Sequence, residues 1–500
     1  MESIASKNIW YASVSIIVPS IFTYIFWFLA ARVGGTEPVG VASSIASLVI
    51  IVSTIAGLDM SLGMKRMMGL AISSGNISEF RQILVSTVIF VTLIITASSA
   101  LILVPEFGIL KSAGIDQQYA LMIVAMIFAQ SFQIIFIEAI IAALLSKKLV
   151  LPLLLGSLAR FPIFFAAYYV FNALTIGIVF AFSSLLFISS FCFGFYLIKI
   201  TGGRLHGKTK GNFYYYVRNT IRAGLASWIP HTLNVAGYWL GIIVVFASEG
   251  ASDGGKFYIT IGIFTVTLFV VTGITKVIHA MVPRLHNEKA KVTYLVYYID
   301  IAFIFTMPFA VPLLFFSSNF LGLMGEEFSS ASGSMAIFIL SLPFVIICEM
   351  VYYFAYGNGD HRSVLILGLM GNIPRIVLYF LLSPFLGIDG AAISFFIGSI
   401  LQFVGSLKFA NRCQISIDAP KYFVLTLIPI LVGVFLWIIS LDFVISSIVI
   451  ITSSFILYIR FQLVTSKEIR DMVFTVLPTS LANQVYPYFS RMISIISSKK

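Results

Sequence analysis

Apolar residues in this chain fall in long unbroken runs separated by short polar breaks, without the alternation that marks half-buried strands. The runs lie at about 9–32, 39–63, 83–104, 119–145, 149–172, 174–198, 224–246, 257–281, 293–316, 333–357, 363–386, 389–408, 421–440 and 443–461, fourteen in all. Each approaches the ~20 residues that carry a helix across a hydrocarbon layer of about 30 Å. Backbone groups in lipid have to be satisfied within their own segment. The pattern therefore predicts an all-α polytopic membrane protein of 14 transmembrane helices.

Charge adds an orientation. With the N-terminus placed in the cytoplasm, 26 of the 31 Lys and Arg fall on that side, and only Arg32, Lys111 and Lys256 fall on the other. The remaining two, Arg160 and Arg375, lie within runs. This asymmetry predicts a multi-pass plasma-membrane protein with both termini cytoplasmic. Composition agrees, since 59% hydrophobic and 10% charged residues cannot cover a water-soluble surface.

The net charge of +11 sits between runs and on no aromatic-interleaved module, which argues against nucleic acid. Cys192, Cys348 and Cys413 stand alone, with neither metal-ligand spacing nor a disulfide framework, so no metal or cofactor is expected. Connections are too short for a soluble catalytic domain. A membrane glycosyltransferase or ligase would need an acidic metal-binding pair or a large outer loop, and Glu326 with Glu327 is an isolated surface pair. No enzyme is expected.

The chain also repeats itself. Asn8 lies eleven residues before Pro19, and Asn219 lies eleven before Pro230. Ser20, Thr23 and Trp27 follow the first proline at the offsets at which His231, Asn234 and Tyr238 follow the second, all on one helical face. Farther along, Glu138 precedes Gly156 and Pro162 as Glu349 precedes Gly368 and Pro374, with Arg160 and Arg375 beside the two prolines. The repeat predicts two pseudo-symmetric six-helix bundles, helices 1–6 and 7–12, with the same topology and a substrate site between them. The halves would occupy 1–200 and 224–412, around a basic cytoplasmic linker at 201–223. Helices 13 and 14 would fill 413–465, followed by a cytoplasmic amphipathic tail at 466–500.

Three stretches carry a family resemblance: FWFLAARVGGTEPVGVASSIASL near the N-terminus, Gly325–Phe328 (GEEF) and Gly387–Ala392 (GIDGAA). In order and spacing they resemble the polysaccharide (O-antigen type) lipid-linked oligosaccharide flippases of the multidrug, oligosaccharidyl-lipid and polysaccharide exporter superfamily. Many relatives place an acidic residue in span 7, where this chain has Tyr238 and Trp239. The resemblance implies alternating-access transfer of an isoprenoid-pyrophosphate-linked oligosaccharide from the cytoplasmic to the outer leaflet, with polysaccharide assembly enzymes as the protein partners of such a role. Multidrug and toxin extrusion exporters are the rival of the same fold. They should place carboxylates on spans 1 and 7, and neither span has one.

For the candidate site residues two readings stand side by side. Arg160 and Arg375, costly within a membrane, either meet a pyrophosphate with their guanidinium forks or pair with Glu138 and Glu349 and lock helices together. Arg218 and Arg222, one turn apart, either meet a phosphate arriving from the inner leaflet or set topology and attract anionic headgroups. Ser227, His231, Asn234 and Tyr238, with Ser20, Thr23 and Trp27, either line a cavity or hydrogen-bond between helices. Asp59 is placed as a partner of Arg66 by spacing rather than as an ion site, and Asp300 has no partner legible in the sequence.

Overall fold

A computed structural model of the chain describes residues 2–202 and 212–464. The middle of the basic linker and the predicted amphipathic tail lie outside the described residues. Every regular element among these is helical. The α-helices are α1 (Glu2–Gly34), α2 (Thr36–Gly57), α3 (Met60–Ser73), α4 (Ile77–Leu103), α5 (Ile109–Ser112), α6 (Ala120–Ala142), α7 (Lys147–Tyr169), α8 (Leu174–Thr201) and α9 (Phe213–Glu249). They continue as α10 (Ala251–Thr267), α11 (Phe269–Met281), α12 (Glu288–Phe315), α13 (Ser317–Gly322), α14 (Ser332–Gly357), α15 (His361–Arg412), α16 (Ala419–Ile438) and α17 (Phe443–Arg460).

Polar breaks between the apolar runs supply the caps. Side chains of Asn76, Asn212, Asp360 and Asp418 accept backbone N–H bonds from Glu79, Tyr215, Ser363 and Lys421, satisfying donors that the first helical turn leaves open.

Among the described residues, twelve helices are long and apolar enough to cross a membrane, or thirteen if α10 and α11, bent by 54°, form one broken span. The shortfall from fourteen lies in α15, where two predicted runs form one helical stretch of 52 residues broken at Gly387 (φ 58, ψ −137). A straight helix of that length would measure about 78 Å. Instead its arms lie side by side. Arg375 on one arm bonds Ser399 on the other, a Cβ on Gly371 would strike the Gln402 side chain at 2.7 Å, and Arg412 at the far end acts electrostatically on Asp360 at the start.

Two compact units divide the chain differently from the predicted halves: residues 1–259 with 376–391, and 260–375 with 392–500. The physical reason is α9, which packs along α2, α3 and α4 rather than only on later helices. Its backbone lies so close that a Cβ on Gly224 would sit 2.7 Å from the Leu58 and Asp59 carbonyl oxygens, and one on Gly63 would sit 2.6 Å from the Thr220 carbonyl. At the start of α2 the fit is tighter. A Cβ on Gly40 would lie 1.8 Å from the Ala251 carbonyl oxygen, one on Gly255 would lie 2.0 Å from that of Thr36, and the hydroxyls of Thr36 and Ser252 meet at 2.9 Å. Small residues allow this main-chain approach within a membrane.

In the second unit α12 is central, packed on α14, α16 and α17. Asp300, for which the sequence shows no partner, takes Lys421 of α16 at 2.7 Å. A Tyr458 hydroxyl donating to the Leu425 carbonyl ties α17 to α16.

Two outcomes follow. Gly40→Ala should destabilise the protein by on the order of 3 kcal/mol, because the obstacle is backbone and not a movable side chain. Thermal unfolding in detergent checks it. Burial of the Asp360 carboxyl raises its pKa, but hydrogen bonds from the Ser363 hydroxyl and amide, with Arg412 and Arg362, outweigh that and hold it below its ordinary 3.8. A folded-state value below the unfolded one adds stability that is present above the ordinary value and lost as pH falls through the lowered one. The difference in melting temperature between the wild type and Asp360→Asn should therefore shrink as pH falls through that range.

Candidate functional site

The first chemistry-bearing cluster lies where α7 meets α1. Arg160 stands two residues before Pro162, in a helix whose other residues are almost all apolar, and it is only 1% exposed. One guanidinium Nη1 donates to the Thr23 Oγ1 at 2.6 Å, and that hydroxyl donates to the Pro19 carbonyl at 2.7 Å. The cation also faces the rings of Phe182 at 5.3 Å and Phe26 at 5.6 Å, a cation–π setting.

No carboxylate lies within ion-pair distance of Arg160 among the described residues, and its Nε has no hydrogen-bond partner. Glu138, its predicted partner, pairs instead with Lys65 of α3 at 2.8 Å. The short helix α3 packs against α6 and takes the acid first. Beside Arg160 lies Trp27, its ring 5.8 Å from Phe182 and 4.6 Å from Tyr258, its indole N–H without a partner. A buried charge and two buried open donors are costly when nothing answers them.

The matching residue in the second unit has a different setting. Arg375, 2% exposed, donates Nη1 to the Asn372 Oδ1 and Nη2 to the Ser399 Oγ, both at 3.2 Å. It lies 3.9 Å from the Phe395 ring centroid. Gly398 makes room, since a Cβ there would come within 2.8 Å of the arginine's own Cβ. Glu349 on α14 interacts with Arg375 electrostatically, but the two form no ion pair within 4.0 Å. The predicted locks between helices are thus absent in one unit and only through-space in the other.

The polar stripe on α9 divides by environment. His231 Nδ1 faces Asp59 Oδ1 at 3.6 Å, so Asp59 partners a histidine of another helix and not Arg66. Ser227 bonds within its own helix, to the Gly224 carbonyl. Trp228 donates its indole N–H to the Ile55 carbonyl at 3.2 Å. Asn234, Tyr238 and Ser20 are half-buried, while Arg218 and Arg222 are exposed in the first turns of α9.

Around Asp59 lies a cavity of about 50 Å³ whose wall is mostly apolar, with Met60, Val91, Ile134 and Ile135 beside Ser53, Ser131 and His231. Sequence reasoning missed this grouping because its members come from α2, α3, α4, α6 and α9. The available signal was an acid at the end of an apolar run with serines on either side. A second cavity, of about 410 Å³ and lined by residues such as Phe303, Phe344, Phe396, Phe403 and Ile430, lies among α12, α14, α15 and α16.

No family model matches the chain, and no curated protein matches it in sequence. Solved structures do match in fold. The Lipid II flippase MurJ in an inward closed conformation superposes with a TM-score of 0.71 at 15% identity, covering 91% of this chain and 99% of that one. The inward-facing conformation of a multidrug resistance MATE family transporter of the MOP superfamily gives 0.65 at 16% identity, covering 81% and 98%. A MOP superfamily transporter from Pyrococcus furiosus, described by the reverse polarity of its binding pocket, gives 0.59 at 16%, covering 82% and 96%. The chain thus has the fold that these MOP superfamily transporters share.

A purely structural Arg160 would be missed on removal, whereas one held for a ligand burdens the fold. Arg160→Met should leave the melting temperature unchanged or raise it, since an apolar side chain of similar length removes the unanswered charge. Thermal unfolding of the purified variant measures this, and a large loss of stability would assign the residue to packing.

Proposed function

We propose that this protein is a flippase that moves an isoprenoid-pyrophosphate-linked oligosaccharide, or a polysaccharide repeat unit, from the cytoplasmic to the outer leaflet of the plasma membrane. The observation that carries the reading is Arg160: a cation kept almost wholly out of water, with no acid within ion-pair distance among the described residues and a nitrogen donor still open. Such a group suits an anionic headgroup better than a cationic drug. An arginine near mid-span is expensive unless protein or ligand answers it, and its planar fork matches phosphate oxygens. Arg375 lies at the equivalent place in the internal repeat and serves the same headgroup in this reading.

The apolar cavity among α12, α14, α15 and α16 supports the other end of the substrate. Its lining is almost free of polar atoms, which suits an isoprenoid tail that stays in hydrocarbon while the headgroup crosses. Arg218 and Arg222 are solvent-accessible at the start of α9, where they meet the headgroup first. Half-buried Ser20, Asn234 and Tyr238 line its route, while Trp27, packed among Phe26, Phe182 and Tyr258, supports Arg160 from behind.

We read the span count as fourteen, by splitting α15 at Gly387 and joining α10 to α11. Both termini then lie in the cytoplasm, as the distribution of lysine and arginine requires. The two six-helix halves alternate access to either side, and polysaccharide assembly enzymes supply and consume the substrate. MurJ is a lipid II flippase of the same fold, which supports a lipid-linked cargo, while the match to multidrug transporters keeps the rival reading in view.

The test is transfer of a fluorescent lipid-pyrophosphate oligosaccharide in proteoliposomes. The wild type should move it, and Arg375→Ala should slow it by about tenfold or more in protein that still elutes folded, the loss of one charge-assisted contact of about 1.5–3 kcal/mol. Binding of a cationic dye that lipid pyrophosphates fail to displace would give the place to the multidrug reading.

A further inference from the structure

The chain passes from α6 to α7 through a tight turn that closes on Leu144, left-handed at φ 58, with the Leu145 amide donating to the Ile140 carbonyl at 3.0 Å. Glycine is the usual residue at such a helix end. Here a leucine holds the place at some cost in strain, and its side chain is exposed. Lys147 and Lys148 follow at once as the first two residues of α7, and both are exposed. The start of a helix already carries partial positive charge, so a pair of cations there works against the backbone. Lys199, in the last turn of α8, has the opposite setting, where a cation complements the helix end.

No acid answers the pair. Among the described residues no carboxylate lies within 4.0 Å of either ammonium group, and Glu138, the acid nearest in sequence, is held by Lys65. Each lysine meets a ring instead. Lys147 Nζ lies 6.0 Å from the ring centroid of Tyr11 on α1, and Lys148 Nζ lies 5.2 Å from that of Tyr196 on α8. An aromatic face holds a cation in place without cancelling its charge. Farther along α7, Leu151, Leu155 and Leu158 are 61%, 48% and 42% exposed. They stand three, seven and ten residues after Lys148 and so continue its face of the helix. Arg160 and the other buried residues of α7 occupy the opposite face. An exposed apolar face on a membrane span lies against acyl chains, and a lysine at its end reaches the headgroup layer.

We propose that this end of α7 seats a resident phospholipid with a net negative headgroup, the phosphate held by Lys147 and Lys148 and the acyl chains lying along Leu151, Leu155 and Leu158. Charge complementarity chooses the occupant. Two ammonium groups with no acid beside them favour an anionic headgroup, whereas the choline of a zwitterionic lipid brings a further cation to them. The cargo of the flippase reading is a different lipid, met by Arg160 on the other face of the same helix. A lipid at this seat ties the depth of α7 to the bilayer, and with it the position of Arg160. Its binding does not rest on the flippase reading.

The experiment is native mass spectrometry of the full-length protein in detergent, titrated with phosphatidylglycerol or with phosphatidylcholine of the same chains. The first phosphatidylglycerol should bind more tightly than the first phosphatidylcholine by about tenfold or more. Lys147→Gln and Lys148→Gln should each weaken that first binding by about fivefold, and the double variant by about thirtyfold, with phosphatidylcholine unaffected. Tyr196→Leu, which releases Lys148 from its ring, should weaken it by a smaller factor. Lys289→Gln, at an exposed lysine of α12, should leave it intact. Equal affinity of the wild type for the two lipids, or a double variant that binds phosphatidylglycerol as the wild type does, would overturn the assignment and leave the lysines as orienting charges. Displacement of the first phosphatidylglycerol by an equimolar amount of farnesyl pyrophosphate would overturn it too, by giving the seat to a lipid pyrophosphate.

Discussion

A positive charge taken out of water inside a membrane has to be answered by something, and Arg160 is answered by one hydroxyl and two aromatic faces. The local structure is arranged around that incomplete answer. Thr23 can accept from the guanidinium because it has already given its proton to the carbonyl of Pro19. Phe26, one turn farther along α1, presents a ring, and Phe182 of α8 presents another. Two proline-bearing helices, α1 and α7, thus converge on a charge that neither neutralises. An ordinary structural arginine would have recruited an acid, and the acid within reach in sequence, Glu138, is committed to Lys65.

The second constraint is main chain on main chain. At Gly40, Gly63, Gly224 and Gly255, helices α2, α3, α9 and α10 approach to distances that no side chain tolerates. Such contacts have one acceptable geometry, and they fix where α2 has to stop. Its end at Gly57 and the left-handed pair that follows are held by α9 lying across that point. Strain at 58–59 and the small cavity beside it therefore have one origin.

Transporters of this fold carry unlike cargoes, as the multidrug exporters and the lipid II flippase among the matching structures show. Fold by itself does not choose among them. Choice falls to a few side chains, and here those are cationic or neutral where a carrier of organic cations needs acids. The proposed flippase reading takes the buried guanidinium and the apolar cavity as the places for a charged end and a greasy end of one substrate.

Sequence alone determined the helical class, the apolar runs long enough to cross a membrane, and the general kind of fold. These follow from period, composition and spacing, which are properties of neighbours along the chain, and the desolvation of backbone in lipid permits little else. What only the tertiary structure decided was partnership. Lys65 takes Glu138, Lys421 takes Asp300, His231 faces Asp59, and Ser53 meets Ser131 across a cavity. The compact units likewise follow the close packing of α9 and not the repeat. Long side chains reach across several helix faces, so spacing leaves many partners equally available, and the selection is made by where glycines let backbones meet.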